Sequence, residues 1–557
     1  MSAVPPAPPK ATVAAGYHQR SKHRLGRYAP GPQTLDWSMQ PDPFRRFAGC
    51  ARMALPLAAE DLAVTYADMI GDLVPPRPLS LANLGLLLEL SFGLAAWKQW
   101  GPDRWALRCN PSSGNLHPTE AYVIAQGVAR LENGVYHYVA ESHVLEQRFV
   151  PEEADATAKT GLWIGLNSIH WREAWKYGER AFRYCQLDTG HALGALGFAA
   201  AVLGWRLRLT GDDGATLTGA SRLEDFLAAE AEEAEVLVEI LAEGNDSRTR
   251  MPWEWDARSG KAAPGFWAGQ ANTLDPHPLY HWPVIDEVAQ ATRGGTDGSA
   301  EAWCPTRAPR REGTAASAAR IILGRRSAQR FDPEHVMPKD AFLRLMAAIL
   351  PRAAAPWTLW DFQPRLHPLL FVHRVSGLER GLYFLARRDG IADILRPRLD
   401  PAYLWRPALD LSADLPLYLL GRADCRRVAR TLCCHQAIAG DSSFALAMLA
   451  EFDDIVGKNA WRYRQLHWEA GLIGQALYLE AEAVGLRGTG IGCFFDDEVH
   501  QLIGLSGASF QSLYHFTVGR PMEDGRISTL PAYPGRRNPI LPPHPNPSPT
   551  GRCENLI

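Results

Sequence analysis

Arg183 stands seven residues before Gly190 and Gly190 fourteen before Gly204, and Arg464, Gly471 and Gly485 repeat both intervals. Segments that agree in spacing more than in identity impose the same backbone requirements twice, which marks a duplicated unit. The stretches after the first glycines, HALGALGFAAAVL and LIGQALYLEAEAV, are rich in small and apolar residues. Leu472, Ala476, Leu479, Ala483 and Leu486 recur at helical intervals, so the second copy predicts a strong amphipathic or buried helix. Asp188 and Glu469 occupy equivalent places two residues before the first glycine of each copy.

A second matched pair lies upstream. LHP at 116–118 leads through AYVIA to GVYHY at 134–138, and LHP at 366–368 leads through LLFVHRV to GLYFL at 381–385. Each reads as strand, turn, strand. A weaker third match sets RSKHR at 20–24 against RRSAQR at 325–330. Their common order predicts a duplicated α+β domain. The 557 residues allow two or three domains, and two fit the repeat. The expected organisation is a disordered Pro/Ala-rich tail over 1–16, a first domain over 17–245, a linker or surface wrap over 246–318, a second domain over 319–525 and a Pro-rich tail over 526–557. Trp253, Trp255, Trp267 and Trp282 argue that part of the middle segment packs on a domain surface.

With a formal charge of -3, the chain has no nucleic-acid footprint and no acidic tail, so small molecules or proteins are the expected partners. Nine scattered cysteines show no paired spacing of a zinc site or disulfide framework, which fits a reducing cytoplasm and no metal. The adjacent Cys433, Cys434 and His435 read as a buried helix start rather than ligands. No apolar run has the length of a signal peptide or a membrane span.

NPSSGNLHP at 110–118 packs two hydroxyls, a glycine, an amide and an imidazole between prolines. Pro111 and Pro118 fix φ, Gly114 opens backbone conformations closed to other residues, and Ser112, Ser113 and Asn115 offer short hydrogen-bonding arms. An Asx or Ser turn entering the next strand accounts for the segment equally well. RRSAQR alone reads as a solvated helix start, and GLRGTGIG at 485–492 as a turn after a helix, capped by Gly488.

In combination, these motifs resemble a known family. NPSSGNLHPTEAYVI resembles the flavin-contacting segment of the nitroreductase superfamily, in its SagB/ThcOx-type dehydrogenase branch, and RRSAQRF at 325–331 is similar to its opening motif. The run 463–499 followed by LYHFTVGRP at 513–521 resembles the closing half of that domain. The resemblance implies two tandem nitroreductase-like α/β/α domains forming an intramolecular pseudo-dimer, a monomeric chain, and flavin mononucleotide (FMN) at the interface between halves. Carried onto this sequence, it implies cofactor contacts from Pro111, Ser112, Ser113 and Asn115 of the first half. From the second it implies Arg325, Arg326, Ser327 and Arg330, the glycines Gly488, Gly490 and Gly492, and Arg520.

Physical chemistry gives each group a job. Arginine forks suit a phosphate monoester, glycines let backbone approach a planar ring, and short hydroxyls and an amide meet the ring's polar edge. The reciprocal site reads as damaged, because the second copy has QPRLHP with Arg365 and no hydroxyl, and the first has GWRLRLTGD from Gly204, although Arg20, Ser21, Lys22 and Arg24 keep part of the opening motif. One flavin per chain is therefore expected. For acid or base chemistry the candidates are Lys176, Tyr177 and Tyr184 in WREAWKYGERAFRYCQ, and His117, although an ion-pair network explains that stretch slightly better. The expected activity is hydride transfer to or from a small or peptide-borne substrate, either azoline-type dehydrogenation or reduction driven by NAD(P)H. A non-catalytic binding or scaffold protein is the alternative that a degenerate second site raises.

Overall fold

The computed structural model describes residues 8–152, 159–211, 214–222, 230–242, 253, 264–295, 303–310, 312–408 and 415–535. Two large antiparallel sheets dominate them. The first runs, from one edge to the other, Gly265–Trp267, Val144–Pro151, Gly134–Val139, Thr119–Gln126, Gly161–Ile169, Glu232–Leu241 and Arg206–Leu209, with Ala51–Ala54 also on Val144–Pro151. The second runs Arg406–Pro407, Leu417–Arg422, Gly381–Leu385, Leu366–Val372, Phe444–Glu451, Phe510–Gly519 and Arg487–Ile491. Both are built alike: a hairpin, a strand beside its first arm, then a pair in which the later strand lies inside and the earlier takes the edge. The two hairpins coincide with the two strand, turn, strand segments read from the sequence.

Between the sheets cross two 22-residue helices, Ala181–Val202 and Arg462–Ala483. The second is buried all round from Tyr463 to Ala481, so of the two readings of its pattern the buried one applies. Gly190 and Gly471 meet at the crossing: a Cβ on Gly471 would lie 2.7 Å from Gly190 Cα, and one on Gly190 2.7 Å from Trp468 Cα. The repeated glycine is thus the point where backbones touch. Gly204 and Gly485, at φ +67° and +74°, follow the two helix ends in the left-handed conformation that suits glycine there. Gly485, not Gly488, is the cap; Gly488 lies inside the edge strand Arg487–Ile491, so the run read as a turn is a strand. One apolar cluster draws on both halves, from Leu187 and Leu193 to Leu472 and Leu477.

The repeated arginines do the same work. Arg183 gives Nη2 to the His18 carbonyl at 2.6 Å, Nε to Ser21 Oγ at 2.9 Å and Nη1 to Asp496 Oδ1 at 2.6 Å. Arg464 gives Nη2 to the Ala289 carbonyl at 2.7 Å, Nε to Thr292 Oγ1 at 3.0 Å and Nη1 to Glu235 Oε2 at 2.6 Å. Helix Lys10–Arg20 is therefore the counterpart of helix Pro283–Thr292, and each arginine ties such a helix to the sheet region of the other half. This overturns the match of 20–24 with 325–330: Lys22 pairs with Asp497 at 2.7 Å and Arg20 with Glu179 at 2.6 Å, away from the cavity described below. The true counterpart of 323–329 is 71–77, GDLVPPR. Thr65 and Ser317, the N-caps of the helices leading into these segments, bridge each other, with Tyr66 N donating to the Ala316 carbonyl and Ala318 N to that of Val64.

The two terminal tails differ from expectation. The N-terminal tail is helical from Lys10, because Ala14 and Tyr17 bury an apolar side of that helix. In the C-terminal tail, Ser528–Leu530 pairs with Leu94–Trp100, and the Tyr533 hydroxyl donates to the Ala140 carbonyl at 2.7 Å. In the middle segment, Trp253 and Trp267 lie against Phe149, and Trp282 packs on the shared core; Trp255 lies outside the described residues. Among the described residues, no helix is long and apolar enough to cross a membrane.

Candidate functional site

A cavity of about 420 Å³ opens between the halves, within the usual range for small-ligand sites of about 300–1,000 Å³. Of the residues singled out in sequence, Pro111, Ser112, Ser113, Asn115, His117, Tyr177 and Tyr184 line it from the first half, and Arg325, Arg326, Ser327, Gly490 and Gly492 from the second. Lys176, Arg330, Gly488 and Arg520 do not. The Lys176 ammonium lies over the Trp37 ring, 4.9 Å from its centroid. Gly488 is structural, its carbonyl accepting from Ala328 N at 3.1 Å. The Arg520 carbonyl accepts from Asp332 N at 2.9 Å, and its side chain approaches His335. Arg487, which sequence reading passed over, takes its place in the cavity, along with Lys98, Asp188, His191, Tyr478, Cys493 and Tyr514.

The 110–118 segment is bent by three left-handed residues, Gly114, Asn115 and His117, at φ 59°, 60° and 53°. Gly114 is required by contact too, because a Cβ there would lie 2.5 Å from the Tyr177 hydroxyl. His117 N donates to Ser112 Oγ at 2.8 Å, and Asn115 Nδ2 to the Ala106 carbonyl at 2.9 Å. Ser113 gives both its backbone N–H, at 3.0 Å, and its hydroxyl proton, at 2.9 Å, to Asp188 Oδ1. That leaves the lone pairs of Ser113 Oγ for a ligand. Burial raises the Asp188 carboxyl to about 7, against the pull of its hydrogen bonds with Ser112 and Ser113. Burial likewise raises Tyr177 and Tyr184, so both phenols are proton donors rather than bases at neutral pH. It lowers His117, together with the Arg108 charge, and leaves a neutral imidazole.

The opposite wall is cationic. Arg325 reaches across to the first half, with Nε on the Cys109 carbonyl and Nη2 on the Arg108 carbonyl, both at 3.1 Å. Its Nη1 is buried with no protein partner, a costly state that an anion would relieve. Burial and the Arg325 charge push the Arg326 guanidinium down to about 10. Arg487 pairs with Glu523, and Lys98 donates to Thr529 Oγ1 at 2.7 Å. Tyr478 joins the wall to the glycine strand, its hydroxyl accepting from Gly490 N at 3.0 Å and lying 2.9 Å from Ser327 Oγ.

The reciprocal position is filled. Glu469, the counterpart of Asp188, accepts from Arg365 N at 2.9 Å and is bound by Arg387, whose guanidinium lies over Trp357. The counterpart of Tyr478 is Gly197, and Leu359 and Pro356 stand 3.0 and 3.3 Å from where its Cβ would be. The segment 71–77 offers a single arginine, Arg77. WREAWKYGERAFRYCQ carries the ion-pair network and also part of the cavity wall: Arg172, Arg180 and Arg183 pair with Glu120 and Asp496, while Tyr177 and Tyr184 face the cavity. Among the described residues, no cluster of His, Cys, Asp or Glu suits a metal ion.

Comparison with known proteins bears on this geometry. Residues 411–520 match the family model described as "Nitroreductase family". A protein of Methanocaldococcus jannaschii described as a putative nitroreductase is 30% identical over 125 residues, 20% of this chain, and the chain spans 59% of that relative's length. The crystal structure of a putative nitroreductase from Anabaena variabilis matches 92% of this chain and 99% of its own with a TM-score of 0.65, at 23% identity. Its likeness is one of fold, and it extends over both halves.

Proposed function

We propose that the chain is an oxidoreductase holding one flavin mononucleotide in the cavity between its halves. The observation that carries this reading is the convergence, on one cavity, of Ser112, Ser113 and Asn115 from one half with Arg325, Arg326, Arg487 and the glycine strand from the other. The orphaned Arg325 Nη1 and its cationic neighbours fit a phosphate monoester. Ser113 and Asn115 fit the polar edge of a planar ring, and Gly490 and Gly492 let backbone lie against it. Bound there, a flavin supplies hydride transfer. The protein's share is to hold the ring, exclude water and manage the proton that accompanies hydride.

The finer reading is a dehydrogenase of the SagB/ThcOx type acting on a small or peptide-borne azoline, with a cytoplasmic location. Removing hydride from such a ring also requires removing a proton. Asp188 suits that task better than the residues first nominated, since Lys176 is outside the cavity, Tyr177 and Tyr184 hold their protons too tightly, and burial beside Arg108 makes His117 a weak base. Reduction driven by NAD(P)H needs no such base.

The purified chain should be yellow, or become so on adding the flavin, with one equivalent bound per chain. Failure to take up flavin while folded would end the enzyme reading and leave the scaffold alternative. Rapid anaerobic bleaching by NADPH, unchanged in Asp188→Asn, would favour the reductase. Bleaching by a thiazoline or oxazoline peptide, lost in that variant, would favour the dehydrogenase.

A further inference from the structure

Cys493 lies two residues beyond the strand Arg487–Ile491 and lines the cavity, and the loop after helix Arg426–Leu432 is fastened beside it. Phe495 N donates to the Leu432 carbonyl at 2.8 Å, and Gln436 Nε2 to that of Cys493 at 3.2 Å. Cys433, Cys434 and His435 therefore follow a helix rather than start one. Cys434 and His435 are both left-handed, at φ 51° and 62°, a costly backbone for such residues. The two thiols lie close enough that each shifts the other's titration. Neither is deeply buried.

The surroundings fix which sulfur is the nucleophile. His23 Nδ1 accepts from Ala29 N at 2.9 Å, so the neutral ring carries its proton on Nε2, the nitrogen left to donate to Cys493. Arg180, holding the Gly492 carbonyl at 3.0 Å, adds a positive charge. The neighbouring Cys434, His23 and the Arg180 charge together outweigh burial and hold the Cys493 thiol well below its ordinary value. Cys434 is held correspondingly high by Cys493 and by burial. An activated thiolate beside a protonated thiol, both within reach of solvent, is the arrangement of an attacking and a resolving cysteine.

We propose that Cys434 and Cys493 form a redox-active dithiol at the edge of the cavity, which Cys493 lines, cycling between dithiol and disulfide by exchange with low-molecular-weight disulfides. The Cys493 thiolate attacks one sulfur of the disulfide, whose S–S bond breaks and releases a thiolate. Cys434 then loses its proton to solvent and its sulfur attacks Cys493 in the mixed disulfide, expelling the second thiolate. The protein is oxidised by two electrons, and one external disulfide is reduced to two thiols. None of this depends on the flavin reading.

The test uses oxidised glutathione on the full chain, followed by alkylation and peptide mapping. Expected is a Cys434–Cys493 cross-linked peptide in the wild type, reversed by dithiothreitol. Cys434→Ser should instead trap glutathione on Cys493, and Cys433→Ser, whose sulfur sits 3.3 Å from His515 Nδ1, should behave as wild type. At pH 6, Cys493 should alkylate about tenfold faster than the exposed Cys304. Both cysteines remaining separately alkylatable after oxidation, or each carrying its own glutathione in the wild type, would overturn the proposal. The wild-type map decides this without any variant having to fold.

Discussion

Gly471 meets Gly190 where the two long helices cross, so closely that a Cβ on Gly471 would stand 2.6 Å from His191 N and 2.7 Å from Gly190 Cα. These neighbours are backbone and cannot rotate away. Gly471→Ala must push the helices apart along a core that both halves share, and it should cost at least the about 1–3 kcal/mol of ordinary overpacking. Gly457→Ala is the control: its Cβ meets nothing within 4 Å, and it lies in the short helix Asp453–Lys458, where alanine gains up to about 1 kcal/mol. Denaturant unfolding of both variants measures the difference, and equal midpoints would show that the crossing tolerates separation.

The cationic wall predicts which arginines hold a phosphate. Arg487→Gln and Arg325→Ala should each weaken flavin mononucleotide binding by tenfold or more, since a hydrogen bond to a charged group contributes about 1.5–3 kcal/mol. Arg520→Ala should change it less than about twofold, because Arg520 is outside the cavity. Titration by flavin fluorescence gives all three. Riboflavin, which lacks the phosphate, should bind wild type and Arg487→Gln alike.

The reciprocal position supplies a third expectation. Trp357 is buried, and its indole N–H donates to the Ala348 carbonyl at 2.9 Å. Trp357→Ala should cost about 3–5 kcal/mol through the cavity it leaves. Flavin stoichiometry should nonetheless stay at one per chain, because neither 71–77 nor 365–368 supplies the missing arginine pair and hydroxyls. A second equivalent bound by this variant would contradict the account of the filled site.

What the sequence made legible follows from which constraints are local. The spacing of Arg183, Gly190 and Gly204 betrayed the duplication because close backbone approach at a crossing demands glycine at fixed helical intervals. The serine segment was legible because its turn chemistry is packed into nine residues. The choice between Arg487 and Arg520 was not, since both are arginines at ends of neighbouring strands and only the position of the cavity separates them. Pairing 20–24 with 325–330 failed for a related reason: basic letters repeat easily, whereas the mutual N-cap bridge of Thr65 and Ser317 appears only in three dimensions. Asp188 stood out as a repeated position, but its raised pKa depends on burial that spacing does not reveal.

Asp188 yields the last expectation, in pH. Its folded carboxyl titrates near 7 against an ordinary 3.8, so between those values the native state holds a proton that the unfolded chain releases. The stability this group contributes is fully present below about pH 4 and is lost as pH rises through 7. Three units correspond to about 4 kcal/mol as an upper bound. Glu173, also buried and raised, gives a slope of the same sign, so the informative quantity is the difference between wild type and Asp188→Asn. The amide keeps an oxygen for the Ser113 N–H but has no proton to lose. Unfolding free energies measured from pH 4 to pH 8 should therefore show the wild type falling relative to the variant, most steeply between about pH 5 and pH 6 and levelling off above pH 7. Parallel curves would mean that Asp188 is ionised throughout, and the case for it as the base in the cavity would fall with them.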